Sequence, residues 1–91
     1  MKYMFGWTGK DCYDNNGTEK AWGVTVAGGA TTINDRHFWI PRSIIKCDEP
    51  NEFGNMKVYI PLWFYIKNKR DCERIREIDW GENGVSPLVE L

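Results

Sequence analysis

The stretch Ala21-Trp-Gly-Val-Thr-Val26 decides the class of fold. Its β-branched residues suit a pleated strand, and Trp22, Val24 and Val26 fall on one face at a period of two. A pair of glycines follows shortly after and ends the pattern. The stretch therefore predicts a β-strand with one face buried in a core.

On both sides of this stretch, the sequence predicts further strands separated by turns and loops. Asn-Gly at positions 16 and 17 suits a turn, because it readily supplies positive φ angles. Pro41 has no N–H for a central ladder, so it belongs at a strand end. The sequence predicts strands at residues 2–8, near 31–33, at 37–40 and at 56–60, extended chain at 43–47, turns at 14–17 and 34–35, and an acidic loop at 48–55.

Pro61 predicts a change from strand to helix, because proline is tolerated at the first helical position. Residues 62–69 are expected to form two helical turns. A continued strand over residues 62–70 is the alternative, since Trp, Phe, Tyr and Ile also favour sheets. The spacing of three between Cys72, Ile75 and Ile78 predicts a second short helix.

The last residues are expected to form a turn at 80–84 and an extended tail at 85–91 that docks on the core. Together these patterns predict a single domain over residues 1–91. Its class is mainly β (α+β), with a small antiparallel β-sheet or barrel of about four or five strands and one or two short C-terminal helices.

Composition limits the classes of function. The 91 residues carry 12 basic and 13 acidic side chains, for a formal net charge of -1. A strong electrostatic nucleic-acid binder is usually basic overall, so the balance argues against one. Five Trp, four Tyr and four Phe are many for this length. We expect most of these rings to lie in the core and one or two to anchor an interface.

Cysteine and histidine usage predicts a reduced, metal-free protein. Cys12, Cys47 and Cys72 form no Cys-x-x-Cys pair, and His37 is the single histidine, so we expect no zinc site and no cofactor. Three reduced thiols suggest a cytoplasmic protein. The sequence has no apolar stretch typical of a signal peptide or of a membrane span, so no membrane association is expected.

No catalytic motif stands out. His37 lies in a predicted strand beside aromatics, where a packed or surface role is more common than general-base work. The carboxylates Asp48, Glu49 and Glu52 suit a solvated loop, and the glycines form no phosphate-binding pattern. We therefore expect a protein that is not an enzyme. A pocket that gathered His37 with a carboxylate or thiol would favour the opposite.

A basic cluster follows an aromatic one. It consists of Lys67, Lys69, Arg70, Arg74 and Arg76, after Trp63, Phe64 and Tyr65. Aromatics beside cations suit a groove for single-stranded nucleic acid. The alternative is the solvated face of helices, with ion pairs to the interleaved acidic residues.

Arg42 is a separate candidate, because its neighbours are apolar. Its guanidinium could grip a carboxylate or phosphate with two hydrogen bonds, or it could satisfy a loop carbonyl. The candidate partner-binding residues are therefore Arg42, Tyr65, Lys67, Lys69, Arg70, Arg74 and Arg76.

Two proline motifs carry a resemblance to known proteins. Trp39-Ile-Pro-Arg-Ser-Ile44 is followed by Ile60-Pro-Leu-Trp63, and both come after Lys20-Ala-Trp-Gly-Val-Thr-Val26. This order resembles a group of small, mostly uncharacterised phage and prophage proteins, over residues 20–70. The chain departs from their pattern at Ile44, where the group often has Gln, and after Trp63, where it tends to have small and charged residues.

The resemblance implies a β-barrel-like domain of a mobile element with no enzymatic activity. Small phage proteins often act on host defence, anti-CRISPR inhibitors among them. The leading expectation is therefore a phage accessory protein that binds and inhibits a host defence protein, with a CRISPR–Cas component as one candidate partner. The alternative is a small β-barrel domain that binds single-stranded nucleic acid. The sequence leaves a homodimer open.

Overall fold

The computed structural model describes residues 1–28, 35–81 and 88–91. In chain order the elements are β1 Lys2–Gly9, α1 Lys10–Asn15, β2 Ala21–Val26, β3 Arg36–Pro41, a 3-10 turn Arg42–Ile44, β4 Lys46–Cys47, β5 Asn55–Pro61, α2 Leu62–Lys67, α3 Lys69–Cys72 and β6 Leu88–Glu90. The fold is mainly β, as predicted. Its described part has six strands in two antiparallel sheets and three short helices.

The larger sheet has four strands in the order β4-β5-β1-β6. β1 and β5 pair along their full length, from Tyr3 opposite Pro61 to Gly9 opposite Asn55. The sequence left sheet and barrel open, and this sheet is open, with β4 and β6 at its edges. The predicted extended tail is confirmed over Leu88–Glu90, which pairs with β1. Its docking on the core is not, because Leu88 and Leu91 are exposed and this segment forms a sheet edge.

The smaller sheet is the hairpin of β2 and β3, with Ala21 opposite Pro41 and Val26 opposite Arg36. The other edge of β2 is covered by the chain near residue 75. The Arg76 amide donates to the Thr25 carbonyl at 2.9 Å, and the Ala27 amide donates to the Arg74 carbonyl at 2.9 Å. Within the described part of the chain no strand pairs with the other side of β3, which is the free edge of this sheet.

The core joins the two sheets. The face of β2 expected to be buried is buried, since Trp22 and Val24 have no exposed surface. Side chains of this kind contribute roughly 1.5–3 kcal/mol each when fully buried. The core residues are Trp22, Val24, Val26, Ile40, Ile45, Met56, Val58, Ile60, Cys72, Ile75 and Ile78.

Gly6 lets a later segment lie close beside β1, where Trp7 and Asp79 form an antiparallel bridge. A Cβ at this position would meet the Ile78 side chain and would lie 2.9 Å from the Asp79 carbonyl oxygen. Trp7 and Asp79 exchange two backbone hydrogen bonds, each 2.8 Å long. The absence of a side chain at Gly6 therefore fixes where residues 78–80 lie on the sheet.

The predicted helix after Pro61 is confirmed as α2, and the strand alternative for this segment is wrong. The second helix ends at Cys72, so the prediction that it would include Ile75 and Ile78 is wrong. Both isoleucines are buried all the same, and Ile75 forms a bridge to Val26. The spacing of three therefore identified buried residues correctly, but it did not identify a helix that contains all of them.

Near the N-terminus, α1 replaces part of the turn expected at residues 14–17. Gly17 does take the positive φ that Asn-Gly supplies, at 111°. Residues 42–44 form a 3-10 turn where extended chain was expected from residue 43 onward. The strand expected near residues 31–33 and most of the turn at 80–84 lie outside the described residues. None of the described helices is long and apolar enough to span a membrane.

Candidate partner-binding surface

β3 and the helical segment α2–α3 face each other across two side-chain contacts and two cavities, and we call the surface between them the seam. The rings of Phe38 and Phe64 lie 6.0 Å apart across it. Further along, the Arg36 guanidinium forms an ion pair with the Asp71 carboxylate. These two contacts hold the segment against the free edge strand. They also separate an apolar end of the seam from a cationic end.

The apolar end is a groove of about 340 Å³, flanked by two tryptophans. Trp39 is 51% exposed and Trp63 is 52% exposed. Trp39 comes from β3 and Trp63 from the first turn of α2, so the two proline motifs of the sequence meet here. The groove is lined by Phe38, Trp39, Pro41, Ile44, Trp63, Phe64, Lys67 and Asn68.

Local packing fixes both tryptophans. The indole of Trp39 lies over Gly23 of the neighbouring strand, where a Cβ would come within 2.9 Å of its ring. The ring of Trp63 stands edge-on to Phe64 at 5.8 Å. Two large rings held in place and half exposed are typical of interface anchors, because they offer apolar area at little cost in side-chain entropy.

The cationic end is a cavity of about 280 Å³ between β3, α3 and the end of β2. Arg36, Arg70 and Arg74 line it together with Asp71. Asp71 is engaged by Arg36. Arg70 and Arg74 form no ion pair with any carboxylate of the described residues. This end of the seam therefore carries positive charge that an acidic partner would neutralise.

The structure divides the predicted basic cluster. Lys67 lines the apolar groove, and Arg70 and Arg74 line the cationic cavity. Lys69 lies 3.8 Å from Glu73 on the helix surface, as the solvated alternative expects. Arg76 is turned away toward Asp35, with its Nε 2.7 Å from a carboxylate oxygen. That hydrogen bond lowers the pKa of Asp35 and raises the pKa of Arg76.

Arg42 is used within the fold. Its guanidinium donates to the carbonyls of Tyr13 at 2.6 Å, Thr18 at 2.8 Å and Asn16 at 3.0 Å. It also lies 4.7 Å from the centre of the Tyr13 ring. Of the two roles that the sequence allowed for Arg42, the structure supports the structural one.

Tyr65 packs inward from α2. Its ring stands edge-on to Trp80 at 5.3 Å, and the Trp80 indole donates to the Cys72 carbonyl at 2.7 Å. Burial raises the pKa of the Tyr65 phenol. Tyr65 therefore holds α2 on the core and lines neither end of the seam.

His37 lines a pocket of about 300 Å³ with Glu77, Trp39 and Asn16. The pocket does bring a carboxylate near His37, the feature that would favour an enzyme. Both oxygens of Glu77 accept the Thr25 amide, at 2.6 and 2.9 Å. Among the described residues, His37 and Glu77 form no hydrogen bond or ion pair with each other.

The acidic loop is solvated, as expected. Glu49 and Glu52 are exposed. Asp48 accepts the Tyr59 hydroxyl at 2.6 Å, and this hydrogen bond is the main cause that raises the pKa of Tyr59 to about 12. Within residues 1–28, 35–81 and 88–91, no three His, Cys, Asp or Glu side chains are grouped so that they could hold a metal ion.

Sequence reasoning missed Arg36 and did not assign Trp39 and Trp63 to a site. The signal for Arg36 was available, because period two places Arg36 and Phe38 on the same face of β3. The position of α2 and α3 beside that strand had no signal, since it depends on contacts far apart in the chain.

Comparisons with protein-family models, with curated proteins and with solved structures found no match.

Proposed function

We propose that this protein is a non-enzymatic binding protein that holds an acidic partner protein along the seam. The observation that carries the proposal is the pair of half-exposed tryptophans, Trp39 and Trp63, on either side of the apolar groove. In this role both rings enter the partner's surface. A few buried aromatic and Arg residues usually supply most of the binding energy of an interface.

The cationic cavity supports an acidic partner. Arg70 and Arg74 sit beside the groove with their charge available, and a carboxylate can accept two parallel hydrogen bonds from a guanidinium. The matching surface therefore presents an apolar side chain to the groove and Asp or Glu to the arginines. Charge pairs of this kind raise the rate of association and select the partner more than they raise affinity.

The resemblance to small phage proteins supports a narrower version of the proposal. In it the protein inhibits a host defence protein, and a component of a CRISPR–Cas complex is the first partner to test. An inhibitor of this type needs no catalytic group. It acts by covering the surface that its target uses.

Site-specific photo-crosslinking in a bacterial lysate tests the proposal. A photoreactive amino acid replaces Trp63 in one variant and Phe53 in another. Phe53 is the matched control, because it is 79% exposed but lies in the loop before β5 and outside the seam. We expect a discrete adduct from position 63 and none of the same mass from position 53. Adducts that are identical from both positions would contradict a seam-specific partner.

A further inference from the structure

The outer face of the four-stranded sheet carries a row of aromatic rings. On β1, Met4, Gly6 and Thr8 lie opposite the buried residues of β5, so Tyr3, Phe5 and Trp7 lie on the other face. The register places Phe5 opposite Tyr59 and Trp7 opposite Lys57. The rings of Phe5 and Tyr59 lie 6.1 Å apart.

Part of this row is open to solvent. Trp7 is 39% exposed, whereas Phe5 and Tyr59 are half-buried and Tyr3 is buried at the far end. The cross-strand pair of Phe5 and Tyr59 stabilises the sheet, and Trp7 extends the row beyond that pair. Aromatic rings on an outer face contribute little to a core on the opposite side of the sheet. They form a row, in which the planes of Phe5 and Tyr59 are tilted by 47° to each other, and we call this row the platform.

Two lysines lie over the platform. The Lys57 ammonium is 5.1 Å from the centre of the Phe5 ring and 5.4 Å from that of Trp7. The Lys46 ammonium is 5.1 Å from the centre of the Tyr3 ring. The long stems cover the rings while the charges stay in water. A ligand with flat rings and negative charges could stack its rings on these aromatic side chains, and its negative charges could pair with the two ammonium groups.

We propose that the outer face of the β5–β1 pair binds single-stranded nucleic acid. One base stacks on Phe5 and the next on Trp7, and Lys57 and Lys46 turn from the rings to the phosphates. Alternate residues of a strand are roughly 6.8 Å apart, which gives successive nucleotides of an extended strand a ring each. Stacking of this kind is worth about 1–3 kcal/mol per base and does not depend on sequence.

This site shares no residue with the seam, so it is independent of the proposed protein partner. It also differs from the basic helical segment that the sequence offered for nucleic acid. We expect modest affinity for two reasons. The protein is slightly acidic overall, and Lys46 and Lys57 neutralise only two phosphates. For single strands each neutralised phosphate adds about −0.7 to the slope of log K against log salt, so a slope of about −1.4 is expected.

Fluorescence anisotropy of a labelled oligothymidylate, at several salt concentrations, tests the inference. The double variant Lys46→Met/Lys57→Met keeps the apolar stems but removes both charges. The matched control Lys20→Met/Lys69→Met removes the same charge from exposed positions outside the sheet face. We expect the sheet-face variant to lose at least about tenfold in affinity and most of the salt slope, while the control keeps both.

A second variant, Trp7→Leu, removes one stacking ring and is expected to weaken binding about fivefold or more at every salt concentration. Circular dichroism confirms that each variant is folded. If Trp7→Leu does not fold, the comparison of Lys46→Met/Lys57→Met with its control Lys20→Met/Lys69→Met tests the inference by itself. The inference is overturned if wild type binds no oligothymidylate at low salt, or if both lysine pairs lower affinity equally. A loss confined to Arg70→Met/Arg74→Met would also overturn it, because that result would place the ligand at the seam.

Discussion

At the level of single residues, the Arg42 side chain adds three hydrogen bonds between the turn after β3 and the chain before β2, beside the backbone bond from its own amide to the Lys20 carbonyl. Its three carbonyl partners lie in α1 and in the loop before β2. The sequence identified Arg42 as unusual because its neighbours are apolar. The sequence could not show whether Arg42 donates to a ligand or to backbone carbonyls of its own chain, since that depends on where α1 ends.

Replacement of Arg42 by Lys is expected to lower the free energy of unfolding by about 1–2 kcal/mol. An ammonium keeps the charge but cannot reach three carbonyls in a fork. Urea denaturation measures the change, with Ser43→Ala at the adjacent exposed position as the control. Unchanged stability together with lost partner binding would show that Arg42 belongs to the binding surface instead.

Tyr59 makes the stability depend on alkaline pH. The hydrogen bond to Asp48 raises its pKa from 10.0 to about 12, so the fold favours the neutral phenol. This contribution is complete below about pH 10, and it is lost as pH rises from about 10 to about 12, where the unfolded chain ionises first. The Tyr59→Phe variant should lose less stability over that range than wild type. Denaturation midpoints that fall in parallel for both proteins would sink this assignment.

At the level of elements, the strands were easier to predict than their partners. Period two in β1, β2 and β5 depends on local residues, so it is visible in the sequence. That β1 pairs with β5 and β6 is not visible, because such pairing joins residues 46 to 88 positions apart, from Gly9 with Asn55 to Lys2 with Glu90. The helix α1 was missed because its six residues include none that is buried, so no apolar period marks it.

The seam could be predicted only in part for the same reason. Lys67, Arg70 and Arg74 were identified as candidates from their charge and spacing. Their division between a groove and a cavity depends on β3, which the sequence did not place beside them. Lys69 and Arg76 shared the same pattern but have carboxylate neighbours at 3.8 and 2.7 Å.

The close pairing of residues 78–80 with β1 gives a test of the packing between elements. Replacement of Gly6 by Ala is expected to cost about 3 kcal/mol, because the new methyl group meets the Ile78 side chain and the Asp79 carbonyl. Gly54→Ala is the control. Its φ of 80° costs about 1 kcal/mol for any L-residue, but no atom lies within 4 Å of the added Cβ. Equal losses of unfolding free energy for Gly6→Ala and Gly54→Ala, measured by chemical denaturation, would show that residues 78–80 are not tightly packed against β1.

At the level of the whole molecule, Cys72 reports whether the core opens as one unit. It is fully buried, and burial raises its thiol pKa from 9.0 to about 12. At neutral pH this leaves roughly a thousandfold less thiolate than an ordinary cysteine has. We expect iodoacetamide to label Cys72 only in denaturant, as followed by mass spectrometry, while exposed Cys47 reacts in the native protein. Native labelling of both thiols at the same rate would indicate a loose core.

Two surfaces leave aromatic rings exposed on so short a chain. One is the seam, with two tryptophans and two available arginines. The other is the sheet face, with Phe5, Trp7 and Tyr59 beside Lys57. The expectation that most aromatic rings lie in the core is wrong. Trp22 is the one ring in the buried core cluster, five more rings pack against that cluster while partly buried, and four rings are exposed. Contiguous exposed apolar patches mark interaction sites.

The central claim is that the seam holds an acidic partner protein, and the affinity of that partner for Trp63→Ser tests it most directly. Isothermal titration calorimetry compares wild type, Trp63→Ser and the control Phe53→Ser against the crosslinked partner. Loss of an anchor worth about 2 kcal/mol predicts a Kd about 30-fold weaker for Trp63→Ser and an unchanged Kd for Phe53→Ser. Equal Kd values for all three proteins would contradict the claim.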